Sequence, residues 1–251
     1  MGTQPSRVAL VTGAGRNIGR AIALALVQDG AAVVVNVRSN EAEARAVVDE
    51  IKAAGGSAIH CLADVTDRRA VDAMMEQVRK TYGRLDILVN NAAIRAEAPF
   101  EQTEFSAWRH ALEVCLDGAF HCTQAALPLL KQSDAASIVN IGGLTAHTGA
   151  SHRVHVVTAK AGLVGMTRAL AHELAPQNIT VNCVAPGLID TDRSARSATL
   201  APHHHAERKN LLGRRGLPTE IAEAVRWISG PGCRYITGQV MHVNGGAYLG
   251  S

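Results

Sequence analysis

The stretch that decides the fold runs from residue 8 to residue 19 and reads Val8-Ala9-Leu10-Val11-Thr12-Gly13-Ala14-Gly15-Arg16-Asn17-Ile18-Gly19. It begins inside a short apolar run, Arg7–Val11, with the character of a strand. It continues as a turn with glycines at 13, 15 and 19. Behind it Ile18, Ile22, Ala25 and Leu26 recur at helical spacing, which predicts a helix over 18–28. Gly30 closes that helix, as a glycine just past a C-terminus should. In a glycine-rich turn between strand and helix, the backbone can approach a pyrophosphate and the first N–H groups of the helix point at it. A tight turn with no ligand is the bland alternative. The functional reading is preferred because this is the first strand–helix unit of a chain that keeps alternating.

Working outward, 32–37 is an almost unbroken valine run, the pattern of a strand buried on both faces. Helices are expected over 41–54, 68–82, 155–175 and 218–229, and strands over 58–62, 86–89, 137–141, 180–185 and 239–243. A long helix over 104–131 is expected to be interrupted near Pro128. This order predicts an α/β fold: one doubly wound domain over 1–251, a parallel sheet of roughly seven strands with helices on both faces. The segment 190–216 is long, basic and polar, and is expected to act as a substrate lid. It holds His203-His204-His205, read as a solvated loop, because adjacent residues cannot all face one ion; no metal is expected.

Composition narrows the function. At 47% hydrophobic and 19% charged, the 251 residues are neither disordered nor highly charged. The longest apolar run, Ala21–Val27, is far short of the about 20 residues a membrane span needs. No charged-then-apolar leader opens the sequence, so no secretory signal is expected. The five cysteines, at 61, 115, 122, 183 and 233, form no CxxC pair and suggest reduced thiols in the cytoplasm. A net charge of +3 and 3% aromatics argue against nucleic acid and membrane surfaces and leave a small-molecule substrate.

The motifs then converge. Thr12, Gly13 and Gly19, with Asn17 in place of a middle glycine, precede Asp64-Val65 and Asn90-Asn91-Ala92-Ala93. Pro186-Gly187 with Thr191, Thr237-Gly238-Gln239 and Asn244-Gly245-Gly246 follow. On these residues the sequence resembles, over nearly its whole length, the short-chain dehydrogenase/reductase family and its Rossmann-type fold. Within the family it looks most like 3-oxoacyl-carrier-protein reductases. The resemblance implies that Gly13, Gly15, Arg16, Asn17, Ile18 and Gly19 cradle a dinucleotide, and that Asp64 and Val65 hold the adenine. Asn91, Ala92, Ala93 and Ile141 line its cleft with Lys160, and Pro186, Gly187, Ile189 and Thr191 reach the nicotinamide end. Asn is one of the few residues other than glycine that enter left-handed conformations, so Asn17 keeps the turn possible. After the second strand no carboxylate stands before Glu41, whereas Arg38 and Ser39 do, and Arg16 lies in the turn. Guanidinium groups suit a phosphate, so NADP(H) is expected over NAD(H).

The same resemblance implies an active site of Asn, Ser and Tyr-x-x-x-Lys, in which the Tyr passes a proton beside the hydride transfer. Lys160 fits the lysine. Counting from it, the Tyr position is Val156, the Ser position is Gly143 and the Asn position is Cys115. Neither Gly143 nor Val156 has a side chain that can donate a proton. His147, His152 and His155 lie nearby, and histidine titrates near neutrality. His147 ranks first as a substitute donor, four residues after Gly143, then His152, then His155. A solvated or capping role stays open for each. Cys115 is read as a small core residue rather than a nucleophile. Arg95 either meets an anionic substrate or is a surface arginine. Leu144, His152 and Leu188 are expected beside the substrate. These readings leave an NADP-dependent oxidoreductase with a non-standard active site, or a redox-silent NADP-binding protein of the same fold. A homotetramer or homodimer is implied, with the helices over 104–131 and 155–175 paired.

Overall fold

The computed structural model describes residues 6–191 and 210–250. The segment 192–209, with most of the expected lid and the three adjacent histidines, lies outside the described residues. The chain runs β1 (Arg7–Val11), α1 (Asn17–Gln28), β2 (Ala31–Val37), α2 (Glu41–Ala53), β3 (Ala58–Leu62), α3 (Arg68–Tyr82) and β4 (Ile87–Asn90). It continues through α4 (Phe105–Leu112), a π-helical turn (Glu113–Asp117), α5 (Gly118–Leu130), β5 (Ala136–Ile141), the single-turn α6 (Thr145–Thr148) and α7 (Val154–Leu174). Then come β6 (Ile179–Pro186), α8 (Pro218–Ile228) and β7 (Val240–Val243).

The seven strands form one parallel sheet in the order β3-β2-β1-β4-β5-β6-β7. Alternate residues of β1 feed opposite faces. Ala9 and Val11 join Ile22 of α1, Val47 of α2 and Ile221 of α8 on one side. Val8 and Leu10 join Val71 of α3, Cys122 of α5 and Leu174 of α7 on the other. All of β2 is buried, as a strand covered on both faces must be. Local signals set the helix ends. Asn40 caps α2 through Glu43 N, Asp67 caps α3 through Arg69 N, and Gly83 ends α3 in the left-handed region at φ 72°.

One expectation needs correction. The long helix is broken at Glu113–Asp117, not at Pro128, which sits inside α5. Pro128 falls in the last turn, so its missing N–H and its ring disturb little helix beyond it. The break instead widens one turn so that Gly118 N reaches Glu113 O. Gly118 is needed there because a Cβ would stand 2.6 Å from Val65 Cγ2.

Candidate active site

β1 pairs with β2 on one side and β4 on the other, so the chain changes winding direction between β1 and β4. A crevice opens there beyond the carboxyl ends of the strands. Thr12 ends β1. Its Oγ1 accepts from the N–H groups of Asn91 and Ala92, each at 3.0 Å, and donates to Val89 O at 3.3 Å. Asn91 Nδ2 returns to Thr12 O at 2.9 Å and Gly13 O at 3.0 Å. Asn36, buried in β2, accepts from Gly13 N at 3.4 Å and donates to Ala63 O at 3.1 Å. The glycine-rich turn, the β2–β3 edge and the segment after β4 are thus one hydrogen-bonded body. The sequence reading missed Asn36, although a lone amide inside a valine run was a signal.

Within the turn Gly13 (φ 62°) and Asn17 (φ 50°) are left-handed, so Asn17 does take the conformation expected of it. A Cβ at Gly19 would lie 2.3 Å from Gly13 O and 2.6 Å from Asn91 Nδ2. No side chain caps the start of α1 at Arg16. Ala14 N donates to Asn36 O at 2.8 Å, so Arg16, beside it, and Arg38 and Ser39 at the end of β2 share one corner, all exposed. Glu43 also reaches this corner, against Gly15. Asp64 accepts from Thr66 N and Oγ1, at 3.0 and 2.8 Å, while Val65 is buried under Gly118. A dinucleotide fits this cradle: glycines stand at the closest approaches, no side chain caps the start of α1, and Arg16 and Arg38 stand exposed at the same corner, with guanidiniums suited to a phosphate.

Lys160 forms the floor of the chemical cleft. Its Nζ donates to Ile141 O at 2.5 Å from a buried position on α7. Burial pulls its pKa below the usual ammonium value; Cys115 and Cys183 oppose the shift, and Arg153 and Arg95 add to it. Val156, one turn earlier, is buried. At Gly143 a Cβ would meet nothing within 4 Å, so the space where a larger side chain would stand is open. Cys115 is buried in the π-helical turn. All five cysteines are buried free thiols, and burial pushes Cys183 up to about 11 and Cys122 up to about 12. Neither of these two is a thiolate at neutral pH.

Leu144 is buried and donates its N–H to Pro186 O at 2.9 Å, which ties the start of α6 to the end of β6. Gly187 N donates to Val243 O at 2.9 Å, and Ile189 bridges to Gly216, whose N–H bonds the carbonyl of half-buried Leu188. Arg95, after β4, donates to Thr191 Oγ1 at 3.0 Å, so two residues singled out from sequence are brought together.

The three histidines separate. His147 lies edge-on to His242, ring centroids 4.5 Å apart, and stacks on Tyr248 at 5.6 Å. Its Nε2 is buried with no hydrogen bond. Burial, then Arg168, holds its pKa below the usual imidazole value. His152 is exposed at φ 60° and its carbonyl accepts from Ala98 N at 2.9 Å. His155 is 1% exposed, and burial, then Arg153, lowers its pKa. Two features escaped the sequence reading here: the His242–Tyr248 partners of His147, and Arg153. The latter has a side chain only 12% exposed, 3.9 Å from Glu97.

Residues 13–248 match the family model described as enoyl-(acyl carrier protein) reductase. The 3-oxoacyl-(acyl-carrier-protein) reductase FabG of Staphylococcus aureus is 39% identical over 245 residues, covering 97% of this chain and 99% of that one. FabG of Aquifex aeolicus is 38% identical over 243 residues, covering 96% and 97%. Among solved structures, a dehydrogenase/reductase from Sinorhizobium meliloti superposes with a TM-score of 0.91 at 35% identity, covering 98% of this chain and 97% of that one. A short-chain dehydrogenase from Burkholderia cenocepacia, in complex with NADP, gives 0.89 at 34% identity, covering 98% and 99%. The chain belongs to the short-chain dehydrogenase/reductase family. Among the described residues no helix is long and apolar enough to cross a membrane.

Proposed function

We propose that this protein is an NADP(H)-dependent oxidoreductase that acts on a small carbonyl compound or alcohol through a non-standard active site. The observation that carries the reading is the pairing of an intact dinucleotide cradle with a buried lysine at the cleft floor, Lys160 on Ile141 O. The cofactor, when bound, supplies or accepts the hydride. Lys160 holds the nicotinamide ribose, as the family resemblance implies, and Arg16, Arg38 and Ser39 hold the 2′-phosphate. The NADP in the Burkholderia relative supports that choice. Gly143 and Val156 donate no proton, so His147 is the first proton carrier to test. With its pKa lowered it is neutral at pH 7, suited to take a proton from an alcohol. The FabG relatives are named for 3-oxoacyl substrates, but without a Tyr acid the expected activity on 3-oxoacyl thioesters and plain ketones is weak.

Fluorescence titration with NADPH and NADH tests the cofactor, and Arg38→Asp should invert the preference. Equal affinities, or tighter NADH, would overturn it. His147→Ala should stop turnover with NADPH affinity intact, while His152→Ala and His155→Ala keep it. Full turnover in all three would eliminate histidine as proton carrier. The open space at Gly143 favours a second reading, cofactor binding without hydride transfer. NADPH binding with no redox turnover on any carbonyl or alcohol would select it.

The proposal includes a substrate lid over 190–216, a cytoplasmic location consistent with the free thiols, and a homotetramer or homodimer. Exposed Phe105 and Phe120 on α4 and α5, with open space above Gly165 on α7, support pairing through these helices. A monomeric mass by light scattering at micromolar concentration would refute it.

A further inference from the structure

The corner formed by Arg16, Arg38 and Ser39 also carries a charge of the wrong sign for a phosphate. In an open α/β sheet, the carboxylate that holds a ribose diol stands just after the second strand. Here that place is taken by Arg38 and Ser39. An acid reaches the corner from another element, the first turn of α2. Asn40 fixes that turn by accepting from Glu43 N at 3.3 Å, and Glu41 and Glu43 both lie in it. Two positions apart on a helix, they point roughly 200° from each other at 3.6 residues per turn. Glu41 turns to Arg45, at 2.6 Å, and His60, at 3.3 Å. Glu43 turns the other way, onto the glycine-rich turn.

Gly15 lies between the end of β2 and Glu43. It is buried, and a Cβ there would stand 2.8 Å from Val37 Cγ1, 3.2 Å from Glu43 Cβ and 3.3 Å from Glu43 Oε2. A carboxylate oxygen therefore rests against the backbone of the turn. Arg16 is the next residue after Gly15, and Arg38 the next after Val37. Among the described residues, no ion pair or hydrogen bond engages the carboxylate of Glu43 or the guanidiniums of Arg16 and Arg38. The neighbouring acids are engaged: Glu41 as above, and Glu50 by Arg20. An acid in a first turn also suits the helix dipole, but Glu41 supplies that equally.

We propose that Glu43 is a specificity-determining residue of the cofactor site. Its carboxylate accepts from a free ribose 2′-hydroxyl and repels a 2′-phosphate, against the pull of Arg16 and Arg38, so the chain prefers NADP(H) only moderately and binds NAD(H) as well. This rests on the NADP(H) reading and names the residue that tunes it. Specificity is a difference of two affinities, and a repulsive element changes it as much as an attractive one. Glu43 is half-buried, so part of its field is screened by solvent and salt.

The test is calorimetric titration of the full chain with NADPH, NADH, and the fragments adenosine 2′,5′-bisphosphate and adenosine 5′-phosphate. The fragments isolate the corner from the nicotinamide end. Glu43→Gln should raise the NADPH-to-NADH affinity ratio by about 5–30-fold, and the fragment ratio by a similar factor. Glu43→Asp, which keeps the charge, should fall between the two. Raising the salt to half-molar should shrink the difference between Glu43→Gln and the unaltered chain, because the effect is a charge effect. Glu41→Gln should change the ratio by less than about twofold. An unchanged ratio in Glu43→Gln, with both dinucleotides bound, overturns the proposal and leaves the NADP(H) reading standing. An equal shift in Glu41→Gln overturns it too, since net charge alone would then be the cause. NADH binding too weak to detect in the unaltered chain overturns the claim on NAD(H). Failure of both dinucleotides and both fragments to bind overturns the NADP(H) reading, and this proposal with it.

Discussion

The cofactor crevice and the chemical cleft are neighbours on one sheet edge, yet they are built differently. In the crevice, Thr12, Asn36 and Asn91 all hydrogen-bond to main-chain groups, and the proposed cofactor would be met chiefly by turn geometry and backbone. The cleft has equally firm framing. Asn90 Nδ2 bonds Asn140 Oδ1 at 2.9 Å, Asn140 Nδ2 bonds Thr167 Oγ1 at 2.9 Å, and Thr167 Oγ1 bonds Leu163 O at 2.7 Å. On the proposed reading its reacting atoms have to come from side chains, and Gly143 and Val156 offer no proton donor. A binding site made of backbone survives many side-chain changes. An acid–base site is lost with one or two, while the scaffold stays whole.

The sharpest way to break this contrast is to give the cleft proton-donating side chains. Gly143→Ser with Val156→Tyr should raise NADPH-dependent ketone reduction by about 10²–10⁴-fold, the usual worth of a positioned general acid. The serine enters open space. No gain in a variant that still binds NADPH would show that the cleft has lost hydride geometry as well. The crevice should fail to a smaller methyl group: Gly19→Ala should weaken NADPH by about 10–100-fold, because overpacking against the Gly13 carbonyl forces the turn apart. Unchanged affinity by fluorescence would mean that the turn is looser than its contacts indicate.

The smallest effect distinguishes the two regions by pH. Burial lowers the pKa of both His147 and His242. Their folded pKa values lie below the unfolded value near 6.5, so their neutral forms favour folding. Stability is therefore full above that value and falls as pH drops below it. Hydrogen exchange should rise at β7 from pH 7 to pH 5 and change little at β1, and His242→Phe should flatten the rise. Equal change in both strands would refute a local origin.

Nearly all of the fold was legible before any coordinates. The strand and helix limits expected from the sequence differ by no more than one residue from those found, as at 86–89 against Ile87–Asn90. The long helix over 104–131 is the exception. Valine runs, caps and glycines are local signals, and they act locally. The π-helical turn is not a local property: it answers to the contact of Gly118 with Val65, which no helical periodicity encodes. The site divides the same way. Asn17 and the turn glycines could be read because backbone conformation is set within a few residues. Arg153 was missed because its burial depends on the loop of Glu97, and the surroundings of His147 because His242 and Tyr248 arrive from the far end of the chain.

The strand order has a consequence for synthesis. β1 emerges first but belongs inside the sheet, between β2 and β4, and its second residue, Val8, donates its N–H to Asp86 Oδ2, 78 residues later. Until that stretch has left the ribosome, β1 has no partner on its β4 side. At about 5–20 residues per second the wait lasts roughly 4–16 seconds. Unpaired strand edges are then exposed at a concentration set by translation, which is the condition that recruits chaperones. A slower codon stretch after β4 would help this chain, and one between β1 and β4 would harm it.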